Sequence, residues 1–327
     1  MITGASGFIG GFLVEEALCR NYEVYAAIRK TSDTQYLVDS KIKFIELDFS
    51  NIDSLNEIIS AAPFFDFVIH NAGITKAKKK NDYFTTNCQY TKNIVNALIS
   101  QQRIPEKFIY MSSLSAYGPG NPLSLHPIKS ADKANPVTSY GKSKLEAETY
   151  LSSLPNFPYI LIRPTVVYGP REKDLLTIFK LINNNIELFV GSKKQYLTFV
   201  YVKDLVQAVF QVMESTVVNK GYFVSDGNIY DSKMLGNFIK DKLGKKTISI
   251  HLHKQLVKSI AIIIECTKYF TNKQSILNLD KVKELESINW MCDIEPLVNE
   301  INYIPSYNLS KGVNETIDWY KETKWLK

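Results

Sequence analysis

Gly4-Ala5-Ser6-Gly7-Phe8-Ile9-Gly10 stands almost at the start of the chain, preceded only by Met1-Ile2-Thr3. Apolar residues at helical spacing come after it, from Phe12-Leu13 to Leu18, so the stretch reads as a turn between a strand stub and a helix. In such a turn the glycines have separate tasks. Gly4 permits the tight reversal, Gly7 lets backbone amides approach a pyrophosphate, and Gly10 lets the helix lie close to the sheet. The positive end of that helix faces the phosphates. The spacing is GxxGxxG rather than GxGxxG. A glycine turn alone is a weak signal, and its meaning depends on the pattern of the residues beyond it.

Those residues carry a β-α-β-α rhythm. Glu23–Ile28, Lys43–Leu47, Phe67–His70, Lys107–Met111 and Tyr159–Ile162 are short apolar or β-branched runs, as expected of strands buried on both faces. Between them, Leu55–Ile59 and Tyr90–Ile99 carry apolar residues at helical spacing. This order implies a parallel sheet with right-handed crossovers. Beyond Gly191 the pattern is mixed: a strand over Tyr196–Val202, a helix over Asp204–Met213, a strand near Tyr222-Phe223-Val224, then a mostly helical and more polar last third. The expected fold is α/β, a Rossmann doubly wound parallel sheet with a smaller, mostly helical C-terminal substrate lobe. Residues 1–165 form the nucleotide-binding domain, with 196–226 returning to it, and residues 166–195 and 227–327 form the lobe.

Composition agrees with a globular enzyme-sized chain. The 327 residues are 45% hydrophobic and 22% charged, which excludes disorder and collagen-like repeats. The 39 Lys and Arg against 33 Asp and Glu give +6, too mild and too dispersed to argue for nucleic acid. Cys19, Cys88, Cys266 and Cys292 are widely separated, as expected of reduced thiols in a cytoplasmic protein. His251 and His253 form a His-x-His pair without a third ligand nearby, so no metal is expected. No apolar signal peptide opens the sequence. The most apolar stretch, Leu256–Ile264, is interrupted by Lys258 and closed by Glu265. It is shorter than the about 20 residues a membrane span needs and reads as a core or cap helix, with a membrane-touching face as the minor alternative.

The second strand ends in Ile28-Arg29-Lys30, where an acidic residue would favour NAD by accepting hydrogen bonds from the adenosine ribose. Arg29 suits a 2′-phosphate instead, so NADP is expected over NAD. Asp48, at the end of the third strand, is a candidate for the adenine amino group. Tyr140 and Lys144 are four residues apart, on one helix face. A neighbouring ammonium and a nicotinium ring would lower the phenol's pKa from its usual value near 10, letting Tyr140 exchange a proton with a carbonyl or alcohol. Ser113 comes after a strand at the carboxyl edge where such sheets bind ligands, and Asn71 and Asn87 lie beside the cofactor position. Each polar residue also has a structural reading: Ser113 as a cap, Asn71 as a turn former, Asn87 as a helix cap.

Taken in order, the sequence resembles an extended short-chain dehydrogenase/reductase of the NAD-dependent epimerase/dehydratase family. The likeness rests on Gly4–Gly10, His70-Asn71-Ala72-Gly73, Asn87 through Thr91-Lys92-Asn93, and Met111-Ser112-Ser113 leading to Tyr117-Gly118. It continues through Tyr140 with Lys144, Arg163-Pro164 leading to Tyr168-Gly169-Pro170, and Phe199-Val200-Tyr201-Val202-Lys203-Asp204. The resemblance implies that Tyr140 is the acid/base, Lys144 its partner and Ser113 the substrate-orienting hydroxyl. It implies cofactor contacts from Gly4, Ser6, Gly7, Phe8, Ile9, Gly10, Arg29, Asp48, Phe49, Asn71, Ala72, Gly73, Asn87, Tyr140, Lys144, Pro164 and Val167. It further implies a homodimer, and a full first strand before Gly4. The expectation is that the natural chain begins several residues earlier or has a weakened central strand.

Two positions depart from the nucleotide-sugar branch of that family. Val166 stands where the branch has an asparagine, and Leu197-Thr198 where it has a phosphate-clamping arginine. The stretch resembles the flavonol-reductase-like and 3β-hydroxysteroid-dehydrogenase-like branches instead. Thr75, Lys76, Ser113, Ser115 and Val166 are the candidate substrate residues. The run Lys76, Lys78, Lys79, Lys80 is either a solvated loop or a lure for an anionic substrate. The expected function is an NAD(P)-dependent oxidoreductase acting on a small molecule. The alternatives are a nucleotide-sugar epimerase or dehydratase with retained NAD, and a non-catalytic NAD(P) sensor.

Overall fold

The computed structural model describes residues 1–191, 194–271 and 279–327, with side chains over all of these except 263–271. The first half consists of β1 (Ile2–Thr3), α1 (Phe8–Cys19), β2 (Tyr25–Ile28), β3 (Lys43–Glu46), α2 (Ile52–Ala61) and β4 (Phe67–His70). A continuous helical stretch comes next, made of α3 (Lys80–Tyr83), a π-helical turn (Phe84–Gln89) and α4 (Tyr90–Ser100). After it come β5 (Lys107–Met111), a 3₁₀ turn (Leu114–Ala116), α5 (Ser139–Ser153) and β6 (Tyr159–Pro164).

Seven parallel strands form the main sheet, in the order β11-β6-β5-β4-β1-β2-β3, where β11 is Lys220–Val224. All five residues of β5 are buried, as expected for a central strand covered on both faces. Leu13, Val14 and Ala17 of α1 share one apolar layer with Leu205 and Val209. Leu55 and Ile59 of α2, Ile94 and Leu98 of α4, and Ala147 and Leu151 of α5 fill the other. The strand order reverses between β1 and β4, and the crevice at such a reversal is where α/β sheets bind ligands.

β1 is only two residues long and sits between β2 and β4. The Met1 amino group donates to Phe67 O at 2.8 Å, and Ile69 N donates to Met1 O at 2.9 Å. Burial lowers the pKa of that amino group to about 5.

The second half builds smaller units: β7 (Val166–Tyr168), α6 (Leu176–Asn183), β8 (Ile186–Val190), β9 (Tyr196–Leu197), β10 (Phe199–Tyr201) and α7 (Val202–Glu214). After β11 come β12 (Tyr230–Asp231), α8 (Met234–Leu243), β13 (Ile248–Leu252), α9 (Lys254–Thr271), α10 (Leu279–Glu286), β14 (Asn289–Trp290), α11 (Glu295–Ile301) and α12 (Leu309–Glu322). The stretch Tyr196–Val202, read from sequence as one strand, is divided among three elements. β9 pairs with β12 and β14, β10 pairs with β7, and Val202 already begins α7. The break comes at Thr198, whose hydroxyl donates to Trp290 O at 3.0 Å beside β14 while its carbonyl accepts from Thr165 Oγ1 at 2.6 Å just before β7. Tyr168, Phe179, Ile317 and Tyr320 form a separate core for this half. Among the described residues, no helix is long and apolar enough to cross a membrane.

Candidate active site

At the sheet's switch point the glycine turn is as tight as its spacing predicts. Gly4 has φ +64°, and a Cβ there would lie 2.8 Å from the Asn71 carbonyl and Ala72 N. A Cβ on Gly10 would lie 2.0 Å from Gly4 O, so α1 packs against the turn only without a side chain at that position. Gly7 is the N-cap of α1; it offers no side-chain cap, and the first turn carries no carboxylate. The leading amides of α1 are therefore left to an anion, the arrangement that suits a pyrophosphate. This cradle fits a dinucleotide.

A buried hydrogen-bond chain ties this turn to the chemistry. Ala72 N donates to Thr3 Oγ1 at 3.1 Å, and Thr3 Oγ1 lies 2.9 Å from His70 Nδ1. His70 Nε2 lies 3.1 Å from Thr91 Oγ1, which donates to Asn87 O at 2.8 Å. Thr91 spends its hydrogen on Asn87, so His70 must donate from Nε2 and accept at Nδ1. The ring is neutral: burial, helped by the charge on Lys144, lowers its pKa to about 3.

Asn87 does not cap a helix; it lies wholly buried inside the π-helical turn. Its Oδ1 accepts from Ile74 N at 2.8 Å, and its Nδ2 donates to Ile74 O and to Ser143 Oγ at 3.1 and 3.0 Å. A π-turn inserts one residue into the helical register, and such insertions gather at functional sites. Here the turn locks the loop after β4 to the face of α5 that bears Lys144. A Cβ on Gly73 would be 3.0 Å from Asn87 Oδ1 and 3.2 Å from Lys144 Nζ. Asn71 Nδ2 reaches Gly4 O at 3.4 Å. Gly4, Asn71, Ala72, Gly73, Asn87 and Lys144 thus converge on one sheet edge.

Lys144 Nζ donates to Met111 O at 2.7 Å and lies 4.8 Å from the centre of the Tyr110 ring. Burial lowers its pKa to about 8, with the Glu148 carboxylate opposing. Tyr140 lies one turn earlier on α5. Burial raises its phenol to about 12, opposed by a hydrogen bond from the Ser113 side chain. The Lys144 ammonium is directed at Met111 O rather than at the phenol, so the lysine does not pull the tyrosine down. Ser113 bears out the capping role. Its Oγ accepts from Ser115 N at 3.1 Å and caps the 3₁₀ turn, while the same side chain neighbours Tyr140.

Sequence reasoning named Arg163 only within the family likeness and missed its pairing with Glu148. Arg163 donates to Glu148 through Nε at 3.0 and 3.1 Å and through Nη2 at 2.9 Å, and both side chains are buried. Ser112 Oγ also donates to Glu148 Oε1. The pair pins the residue next to Ser113 and supports Lys144 electrostatically. Its signal is the spacing Tyr140, Lys144, Glu148, which places all three on one helix face. Arg171 was also missed. Its guanidinium lies between the Phe12 and Tyr36 rings at 4.5 and 4.4 Å and donates to Glu15 at 2.7 Å.

The remaining candidates are more dispersed. Arg29 is exposed, with its backbone N donating to Ser32 Oγ at 3.0 Å. Asp48 is exposed and accepts from Ser50 Oγ at 2.6 Å and from Ser50 N at 2.9 Å, which together lower its pKa. Phe49 packs edge-on to His70 at 5.7 Å. Pro164 is buried at the end of β6, and Val167 packs on the main core. Lys76 pairs with Asp174, joining the loop after β4 to the segment before α6. Thr75 is exposed, its carbonyl accepting from Tyr83 Oη at 3.3 Å. Val166 is exposed on β7, while Leu197 packs beside the layer that holds Trp290. His251 stacks on Phe189, and His253 Nδ1 accepts from Gln255 N at 3.3 Å. Among the described residues no cluster could hold a metal ion. Cys19, Cys88 and Cys292 are free thiols, and the Cys266 side chain lies outside the described residues.

A parallel sheet with a glycine turn at its switch point defines a dinucleotide-binding fold of the Rossmann class. The NAD dependent epimerase/dehydratase family matches residues 1–224, and the chain belongs to that enzyme family. A ceramide reductase of Caulobacter vibrioides is 23% identical, the match covering 99% of this chain and 95% of the relative. The N-acetyl-α-D-glucosaminyl-diphospho-ditrans,octacis-undecaprenol 4-epimerase of Escherichia coli O157:H7 is 24% identical over 98% of this chain and 94% of the relative. Among solved structures, UDP-glucose 4-epimerase of Thermotoga maritima with UDP-glucose shares the fold. Its TM-score is 0.79 at 19% identity, covering 99% of this chain and 98% of that one.

Proposed function

We propose that the chain is an NADP-dependent oxidoreductase that reduces or oxidises a carbonyl or carbinol carbon on a substrate less polar than a nucleotide sugar. The observation that carries this reading is the gathering of Ser113, Tyr140 and Lys144 on the edge that holds the Gly4–Gly10 turn. A bound nicotinamide cofactor would supply or accept hydride at its C4.

The chain's own residues handle the proton and the orientation. Tyr140 is a protonated phenol at neutral pH, poised to donate to a carbonyl oxygen. Lys144, with a pKa near 8, is largely cationic at pH 7 and stands beside Gly73 to hold the nicotinamide ribose. A positive ring beside Tyr140 would bring its pKa down in the oxidative direction. Ser113 orients the substrate oxygen. The Arg29 side chain meets the 2′-phosphate.

Leu197, Thr198 and Val166 support the less polar substrate. Thr198 is buried and bonded to Trp290 O, and Leu197 packs against apolar neighbours, so neither offers charge to a nucleotide phosphate. The likeness to a ceramide reductase supports the same direction. The fold likeness to a UDP-glucose 4-epimerase favours a second reading, an epimerase that retains NAD through the turnover.

The test combines thermal-shift ligand panels with assays of NADPH oxidation on amphiphilic carbonyl compounds. Stabilisation by NADP, and Tyr140→Phe turnover reduced at least about 100-fold, are expected. Unchanged turnover by Tyr140→Phe overturns the role of the tyrosine. Stabilisation by a UDP-sugar, with conversion that needs no added cofactor, turns the reading to the epimerase.

A further inference from the structure

We infer that the outer face of the β8–β13–α9 unit is a docking surface for an anionic lipid bilayer. In register, β13 lays Ile248, Ile250 and Leu252 against Ile186, Leu188 and Val190 of β8. Alternation along each strand puts these six on one side, while Phe189 and His251 stack on the other. Val190 and Leu252, at one end of the apolar side, pack under α9 with Val257, Ala261 and Val282. The rest of that side is open: Ile248 is 72% exposed, and Leu188 and Ile250 are exposed as well. α9 borders this side. Val257 and Ala261 face inward; Leu256 and Ile260 are exposed on one flank of that stripe, and Lys254, Lys258 and Ile262 on the other.

The charge around this face selects its occupant. From Lys242 to Ile264 the chain carries Lys242, Lys245, Lys246, Lys254 and Lys258 and no Asp or Glu. Lys242 is held by Asp318, whereas no carboxylate among the described residues forms an ion pair with the other four lysines. A two-fold dimer through the same face would oppose these lysines to their own copies, a like-charge contact that disfavours a second copy. An anionic bilayer satisfies both features: the apolar side chains enter the acyl boundary and the lysines meet the headgroups. The helix need not cross the membrane, and none of the described helices can.

The location joins the face to the candidate active site. α9 packs on α10 through Val282, and α10 sends Asp280 to accept from Ser139 N at 2.7 Å, the residue before Tyr140. One helix layer therefore separates the docking face from the catalytic helix. Docking there would bring a bilayer-resident amphiphile to the mouth of the site. The docking surface is independent of the hydride chemistry, which is measured separately.

The experiment is co-flotation of the full chain with phosphatidylcholine vesicles, with and without phosphatidylserine, at low and high salt. Binding that needs phosphatidylserine and falls at high salt is expected. Lys254→Glu/Lys258→Glu should weaken it by roughly tenfold or more, since each juxtamembrane lysine adds about fivefold to partitioning. Leu256→Asp/Ile260→Asp should lower it by a similar factor, with NADP binding serving as the check that the variant is folded. Ile250→Ser supplies an independent apolar variant if the aspartates disturb folding. Absence of wild-type binding to phosphatidylserine vesicles, or binding that the charge and apolar variants retain, overturns the inference. So does light scattering that shows dimers which Leu256→Asp/Ile260→Asp converts to monomers.

Discussion

The two halves of the molecule treat polar and apolar groups in opposite ways. Around the seven-stranded sheet, buried polar side chains are joined in hydrogen-bonded chains: Thr3, His70, Thr91 and Asn87 form one, and Ser112, Glu148 and Arg163 another. In the cap, apolar side chains such as Ile248 and Leu256 are turned outward. The difference separates precision from contact. A buried polar network costs free energy unless every member is satisfied, so it holds neighbouring groups in one geometry. An exposed apolar face holds no geometry and offers area to a partner.

The strongest way to break this comparison is at Tyr140. Tyr140→Phe should cut turnover by about 10²–10⁴-fold with little change in melting temperature, measured by steady-state kinetics and calorimetry. A large loss of stability instead would make the tyrosine part of the packing. Glu148→Gln leaves the Arg163 guanidinium buried without its counter-charge and should destabilise the fold by about 3–5 kcal/mol in urea titration. A near-neutral result would show that the network is not holding the site. Gly10→Ala drives a methyl group into Gly4 O, and should cost about 1–3 kcal/mol along with NADP affinity.

His70 sharpens the comparison through pH. Its folded pKa of about 3 lies below its ordinary value of 6.5, so between these limits the unfolded chain binds the extra proton. The stability associated with the neutral ring is complete above pH 6.5 and is lost as pH falls toward 3. The slope is at most about 1.4 kcal/mol per pH unit. His70→Gln should flatten that limb of a stability-against-pH curve. The smallest effect belongs to the exposed Arg29. Arg29→Ser should lower the preference for NADP over NAD by roughly tenfold in binding titrations.

Legibility divides along the same line. The strands Phe67–His70 and Lys107–Met111 match the sequence reading residue for residue, because strands buried on both faces are unbroken apolar runs. Ser113, Tyr140 and Lys144 are singled out in the sequence by spacing and order, and the structure brings Ser113 beside Tyr140 and Lys144 beside Gly73. Asn87 reads as a helix cap and lies in a π-helical turn, because a register insertion leaves no mark on apolar periodicity. The pairing of Arg163 with Glu148 escapes notice because a salt bridge between a strand and a helix joins residues 15 apart, and the spacing that marks Glu148 does not name its partner. Tyr196–Val202 looks like one strand because its apolar character is continuous. Its division depends on partners near residues 166, 230 and 290 that sequence alone does not select.

The sequence by itself determined the parallel sheet, the glycine turn and the identity of the candidate Ser, Tyr and Lys, since each comes from local periodicity or spacing. The tertiary structure decided how Met1-Ile2-Thr3 are held, through Phe67 and Ile69 on β4, and it decided the electrostatics of the site. Tyr140 is raised rather than lowered because burial removes water from the phenol while the Lys144 ammonium is directed at Met111 O. Desolvation and the direction of a hydrogen bond depend on neighbours distant in the chain, and only the packed molecule brings those neighbours together.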